Sequence, residues 1–459
     1  MQLPKGYIII REEDILLLHQ QVMEMQRQIE ELQNRLNKNS SNSHKPPSSD
    51  GLKKKVHNSR EKSGKKQGAQ KGHEGKSLLM TETPDTIITH KVEGYCQCGK
   101  SLNRLETTNI QRRQVIDLVD KFVEITEHQI EIKSCACGLV HSGEEGQYIP
   151  IQYGERIKGL SVYLNQYQYI PYDRQRELFK DCFGITISHG ALVDANKKCF
   201  ENLSEQEIQI KEALISSPVI HNDETGIRCE KKTKWIHTSS TDEFTYYSIH
   251  EKRGREAIND IGILPDYKGI SIHDRYSSYD DYSCKHGLCN AHLLRDLKGL
   301  YEEDAKPWAK KMISFLVNAK REKDAGRIKK KRREIMLAEY HKILKSGSKA
   351  EPPDETVSVI KRGRKKKTKS RLLLNVFINR YEDILRFIFN PLVPFDNNLA
   401  ERDLRMVKLK QKISGCFRTK FGSQVFCRIR SYISTIRKQG YGVLDALQRA
   451  IENNPINFA

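Results

Sequence analysis

The sequence predicts a multidomain chain. In order it reads as an N-terminal coiled coil, a small zinc-ribbon-like β domain, a helical helix-turn-helix region, and an α/β domain carrying a helical insertion. Three observations predict that order. An unbroken heptad series lies near the N-terminus, two close cysteine pairs bracket a strand-like segment, and after Pro218 alternating strands give way to basic helical periodicity.

At 459 residues the chain is long enough for two to four domains with ample core. Lys and Arg total 79 against 59 Asp and Glu, a formal charge of +20, which favours a polyanionic partner, most simply nucleic acid. No apolar run approaches the roughly 18 residues of a membrane span, and the YIII near the start is too short for a signal-peptide core. A cytoplasmic, nucleoid-associated protein is therefore expected. Eleven cysteines in a reducing compartment should be thiols, and paired ones metal ligands before disulfides.

Ile15, Leu18, Val22, Met25, Ile29, Leu32 and Leu36 alternate at spacings of three and four, predicting a parallel coiled coil over 11–37. Residues 38–77 shift to Asn, Ser, Gly, Pro and Lys and read as a basic disordered linker suited to non-specific phosphate contact. Cys96 and Cys98, then Cys135 and Cys137, define a zinc-ribbon-like domain over 78–150, with Gly99 and Gly138 permitting the turns. One residue rather than two separates the thiols of each pair, and His141 offers a replacement ligand. Residues 151–214 read as helices. A helix ending near Gly184, a short turn, and Ser188 as N-cap of a second helix beginning at His189 suggest a helix-turn-helix whose second helix meets DNA.

Strands dominate 215–288. Asp223 and Asp274 each stand in or just after an apolar strand and open a polar run, DET and DRY, where a purely structural strand would stay apolar. Glu401 follows Asp274 by 127 positions, so an insertion is needed, and the basic helical stretch and loop of 289–375 supply it. That insertion begins with Cys289 and His292, for which core packing is the simpler reading, with no second half-site nearby in sequence. The C-terminal part, 376–459, carries Glu401 in PFDNNLAERDLRMVKLKQKISGCFR. Asn398 reads as N-cap there, Glu401 as a capping carboxylate or Glu401–Arg405 pair, and Leu399, Leu404 and Met406 as the apolar contacts. The alternative for Glu401 is a divalent-metal ligand among phosphate-holding cations, which requires Asp223 and Asp274 as partners.

With the zipper, LNKNSSNSHKPPSSD, GAQKGHEGKSL, the paired cysteines, DET, HDRYSSY, CNAHLLRDL and NNLAERDLRMVKLKQKISGCFR, the chain resembles transposases of the insertion-sequence IS66 family nearly end to end. The resemblance implies a DDE-superfamily enzyme with a ribonuclease H-like catalytic domain, encoded by a bacterial or archaeal insertion sequence. Its acidic triad falls on Asp223, Asp274 and Glu401, which would hold two Mg²⁺ (or Mn²⁺) ions roughly 3.5–4 Å apart for strand cleavage and strand transfer. Arg402, Arg405 and Lys408 would meet the DNA backbone beside the triad, and Ser188 and His189 would lie on the DNA-reading helix. The expected cofactors are Mg²⁺ and a structural Zn²⁺. The expected partners are element ends and target DNA, a second copy through the coiled coil, and accessory proteins of the same element. A metal-dependent nuclease or resolvase, and a non-catalytic dimeric DNA-binding regulator, are the competing readings.

Overall fold

The computed structural model describes residues 12–39, 42–43, 82–83, 87–89, 95, 97–98, 101–104, 123–126, 132–134, 140–142, 152–351 and 368–458. The chain divides into two compact units, one comprising residues 1–57 with 148–459, the other 58–147. In the smaller unit, β1 (Ile132–Ser134) pairs antiparallel with β2 (Val140–Ser142), Ser134 opposite Val140. Tyr95 pairs in the same sense with Ser101. Each pairing encloses a Cys-x-Cys-Gly-x sequence of equal length. Cys98 is exposed. Cys96, Cys135 and Cys137 lie outside the described residues, as do most of the 38–77 linker and the stretch 352–367.

The larger unit opens with α1 (Glu12–Leu36), a helix of 25 residues. Its heptad seam is uncovered: Ile15, Leu18, Met25, Ile29 and Leu32 are each more than half exposed. Then come α2 (Glu155–Val162), α3 (Tyr172–Phe183), α4 (His189–Asn202) and α5 (Ser204–Ser216). Gly184, at φ 68°, turns the chain out of α3 in the left-handed region that glycine tolerates. Ser188 caps α4, its hydroxyl accepting from Ala191 N–H at 3.1 Å. Val162, Ala195, Cys199 and Leu203 join the same apolar cluster as Ile429 and Leu447 of the C-terminal helices, so this helical segment is packed onto the end of the chain.

A five-stranded sheet follows, built from β3 (Val219–Cys229), β4 (Lys232–Ser240), β5 (Thr245–His250), β6 (Ile270–His273) and β7 (Lys285–Leu288) in the order β5-β4-β3-β6-β7. The first three strands form an antiparallel meander, and β6 and β7 run parallel to β3. The crossover from β5 to β6 carries α6 (Arg255–Ile261). Side-chain alternation sends the sheet's two faces to different cores. Ile220 and Tyr246 pack with Ile210 and Leu214 of α5 and Ile258 of α6. On the other face, Ile227, Ile236 and Tyr247 pack with helices α12 (Asn398–Ser414) and α13 (Lys420–Lys438).

Between β7 and α12 lie α7 (Asn290–Asp304), α8 (Pro307–Asp324), α9 (Lys330–Ala350), α10 (Lys369–Asn379) and α11 (Tyr381–Phe389). They are not an independent appendage, because their apolar faces share one core with Ile270, Ile272 and Leu288 of the sheet. Helix α14 (Val443–Ile451) closes the chain against α2. Among the described residues no helix is long and apolar enough to cross a membrane.

Candidate active site

Strands β3 and β6 pair with Val219 opposite Ile270 and His221 opposite Ile272. Continuing that register by two residues sets Asp223 level with Asp274, just beyond the end of β6. Both share the face of Ile227 and Ile272, the face covered by α12 and the α7–α11 layer. Glu401, in the first turn of α12, approaches from above, since α12 packs across β3 and β4. Asp223 feels the other two carboxyls. Burial first, then the charges of Glu224, Asp274 and Glu401, push Asp223 well above the usual carboxylate range, against a single backbone N–H bond from Glu224 that lowers it.

DET contains two acids, and the sheet separates them. Glu224 points to the opposite face, where Arg253 holds its Oε1 at 2.8 Å and Tyr279 O–H donates to its Oε2 at 2.5 Å. Arg253 in turn stacks on Tyr276 and Trp235. Glu224 thereby ties β3 to the segments that follow β5 and β6. Among the described residues, the Asp223 and Asp274 carboxylates accept one hydrogen bond each, from Glu224 N–H at 2.9 Å and Tyr276 N–H at 2.8 Å.

Asn397, almost fully buried, fixes the start of α12. Its Nδ2 donates to Asn222 O at 2.8 Å. That bond identifies the other amide atom as the acceptor, so His221 Nδ1–H donates to Asn397 Oδ1 at 2.8 Å. The backbone N–H of Asn397 donates to Cys289 Sγ at 3.2 Å. Further along the helix, Asp403 accepts from Ser240 Oγ at 2.7 Å, Thr245 Oγ1 at 3.1 Å and Lys438 Nζ at 2.9 Å, which clamps α12 to the β4–β5 hairpin and to α13.

Several local expectations change. The N-cap position falls on Asn397, not Asn398, and no side chain caps the helix, because the Asn397 amide is spent on β3. Glu401 makes no ion pair with Arg405 among the described residues; its Oε1 is buried without a hydrogen-bond partner, 3.8 Å from His292 Nδ1. Ala400, Leu404 and Val407 form the buried stripe, with Met406 partly buried against the same core. Arg402 and Arg405 are exposed, whereas Lys408 donates to Gly226 O and is partly committed to β3. The partner that Cys289 and His292 lacked in sequence is Glu401, whose carboxylate lies with their donor atoms in one group within 4.8 Å. Sequence spacing offered no signal for that meeting. Away from this face, Ser188 caps its own helix and His189 Nε2 meets Asp173 at 2.7 Å.

The sequence profile described as Transposase IS66 family matches residues 150–425, and that of a family of unknown function, DUF6444, matches residues 8–78. No curated protein matches the chain. The first match covers more than half of the sequence and contains Asp223, Asp274, Cys289, His292 and Glu401. This chain belongs to the IS66 transposase family.

Proposed function

We propose that this protein is the DNA transposase of an insertion sequence and that Asp223, Asp274 and Glu401 are its catalytic carboxylates on a ribonuclease H-like domain. The observation that carries the reading is their convergence from β3, the end of β6 and the first turn of α12 onto one face, where burial first, then Glu224, Asp274 and Glu401, raise Asp223. A central meander followed by two parallel strands, with helices on both faces, supports the ribonuclease H-like assignment.

The three carboxyls fit divalent cations. Among the described residues none of them forms an ion pair with Arg or Lys, Glu401 Oε1 is a buried acceptor without a donor, and the mutual repulsion at Asp223 is what a cation would relieve. Asp223, Asp274 and Glu401 would together hold Mg²⁺ or Mn²⁺. Bound there, such ions lower the pKa of an attacking oxygen and stabilise the departing one. The chain supplies the rest. Asn397 and Asp403 hold Glu401 in register with Asp223, Glu224 with Arg253 steadies the strand on the far face, and exposed Arg402 and Arg405 are set to neutralise the DNA backbone.

The remaining parts serve assembly and DNA binding. The uncovered seam of α1 pairs with a second copy as a parallel coil, which brings two subunits to two element ends. Cys96, Cys98, Cys135 and Cys137 bind one structural Zn²⁺, a reading supported by paired backbone enclosing each pair at equal length. Helix α4, entered through Ser188 and His189, contacts end DNA. Purified protein mixed with DNA carrying the element's own ends should give Mg²⁺-dependent nicks with free 3′-hydroxyls and, with a target added, joined products. Nicks without any joining would instead support the nuclease reading.

A further inference from the structure

We propose that Cys289, His292 and Glu401 form a separate site for a thiophilic divalent cation such as Zn²⁺, and that filling it withdraws Glu401 from the Mg²⁺ site. The donor atoms come from two elements, the start of α7 and the first turn of α12, yet all lie within 4.8 Å of one another. Sulfur, imidazole nitrogen and carboxylate oxygen are a zinc donor set, and a small closure would bring them to the roughly 3.5 Å separations implied by bonds of about 2.0–2.3 Å.

Two features of the surroundings suit a metal-bound sulfur. Asn397 N–H already points at Cys289 Sγ from 3.2 Å, the kind of outer hydrogen bond that steadies a coordinated thiolate. Glu401 Oε1 is buried without a hydrogen-bond donor. Binding a cation there would release the thiol proton of Cys289. Mg²⁺, a hard ion that favours oxygen ligands, has little use for this pair. The two sites are thus selective by ion chemistry although they share a carboxylate.

The inhibitory consequence rests on Glu401 serving the Mg²⁺ site; zinc binding does not. Full-length protein equilibrated with micromolar Zn²⁺ and then desalted should retain one more equivalent than Cys289→Ala or His292→Ala, the cysteine-pair zinc being common to all. With Co²⁺ in place of Zn²⁺, Cys289→Ala should lose part of the sulfur-to-metal absorbance. Relative to each protein's own zinc-free rate, Mg²⁺-dependent cleavage by the Cys289→Ala protein should need at least tenfold more Zn²⁺ for half-inhibition. If Cys289→Ala does not fold, His292→Ala carries the comparison. Equal zinc content in the wild type and the folded variants overturns the site. Glu401→Gln separates the two ideas: lost cleavage with unchanged zinc content in all variants refutes this site alone, whereas retained cleavage with lost zinc refutes only the catalytic assignment.

Discussion

Asp223 is the residue whose environment opposes the folded state. A carboxyl whose folded-state pKa is raised contributes stability only below its unfolded value, and loses that contribution as pH rises through the folded value. Burial, Glu224, Asp274 and Glu401 all act in that direction, so Asp223 weakens the fold at neutral pH relative to acid pH. Asp223→Asn is therefore expected to raise Tm at pH 7.5, with the gain shrinking toward pH 4, and Mg²⁺ should stabilise the wild type more than the variant. Melting curves across that pH range check it, and a lower Tm for Asp223→Asn at pH 7.5 contradicts it. Asn397 gives the converse case. Asn397→Ala leaves Asn222 O and His221 Nδ1 without their buried partner, and is expected to cost about 1–3 kcal/mol. DNA cleavage should fall at least tenfold while binding to end DNA persists, as measured by parallel cleavage and gel-shift assays.

At the scale of elements, α12 decides the site. Its register depends on Asp403 as much as on Asn397, since the Asp403 carboxylate gathers two hydroxyls and the largely buried Lys438. Asp403→Ala strips Lys438 of its counter-charge, and denaturant unfolding should report a loss of about 3 kcal/mol. The sequence announced parts of this arrangement. Asp223 and Asp274 stand out because a polar run interrupts an apolar strand, and Glu401 because one acid opens a helix crowded with cations. What the sequence could not announce is where distant segments meet. The choice of Asn397 over Asn398 follows from a strand 175 positions away, and Glu401 joins Cys289 and His292 only because the start of α12 is hydrogen-bonded to the start of α7. Likewise, periodicity predicted helices over 151–214, but nothing local indicates that they share a core with α13 and α14.

For the whole molecule, assembly and charge set the conditions under which the site acts. The α1 seam leaves Ile15, Leu18, Met25, Ile29 and Leu32 more than half exposed, an apolar stripe that a second copy would cover. Wild-type protein is expected to sediment as a dimer or larger, and Val22→Asp with Ile29→Asp as a smaller species; unchanged assembly in that double variant contradicts the coil. The net charge of +20 should make binding to end DNA weaken steeply with salt, as phosphate contacts release counterions. The central claim is that three carboxylates brought together by β3, β6 and α12 carry out DNA cleavage and joining with divalent cations. Its most direct measurement is Mg²⁺-dependent cleavage and strand transfer by purified Asp223→Ala, Asp274→Ala and Glu401→Ala proteins on the element's own ends, with end binding assayed alongside. Each variant should bind ends within a few-fold of wild type and yield no cleaved or joined product. Substantial joining by any one of the three would contradict the assignment.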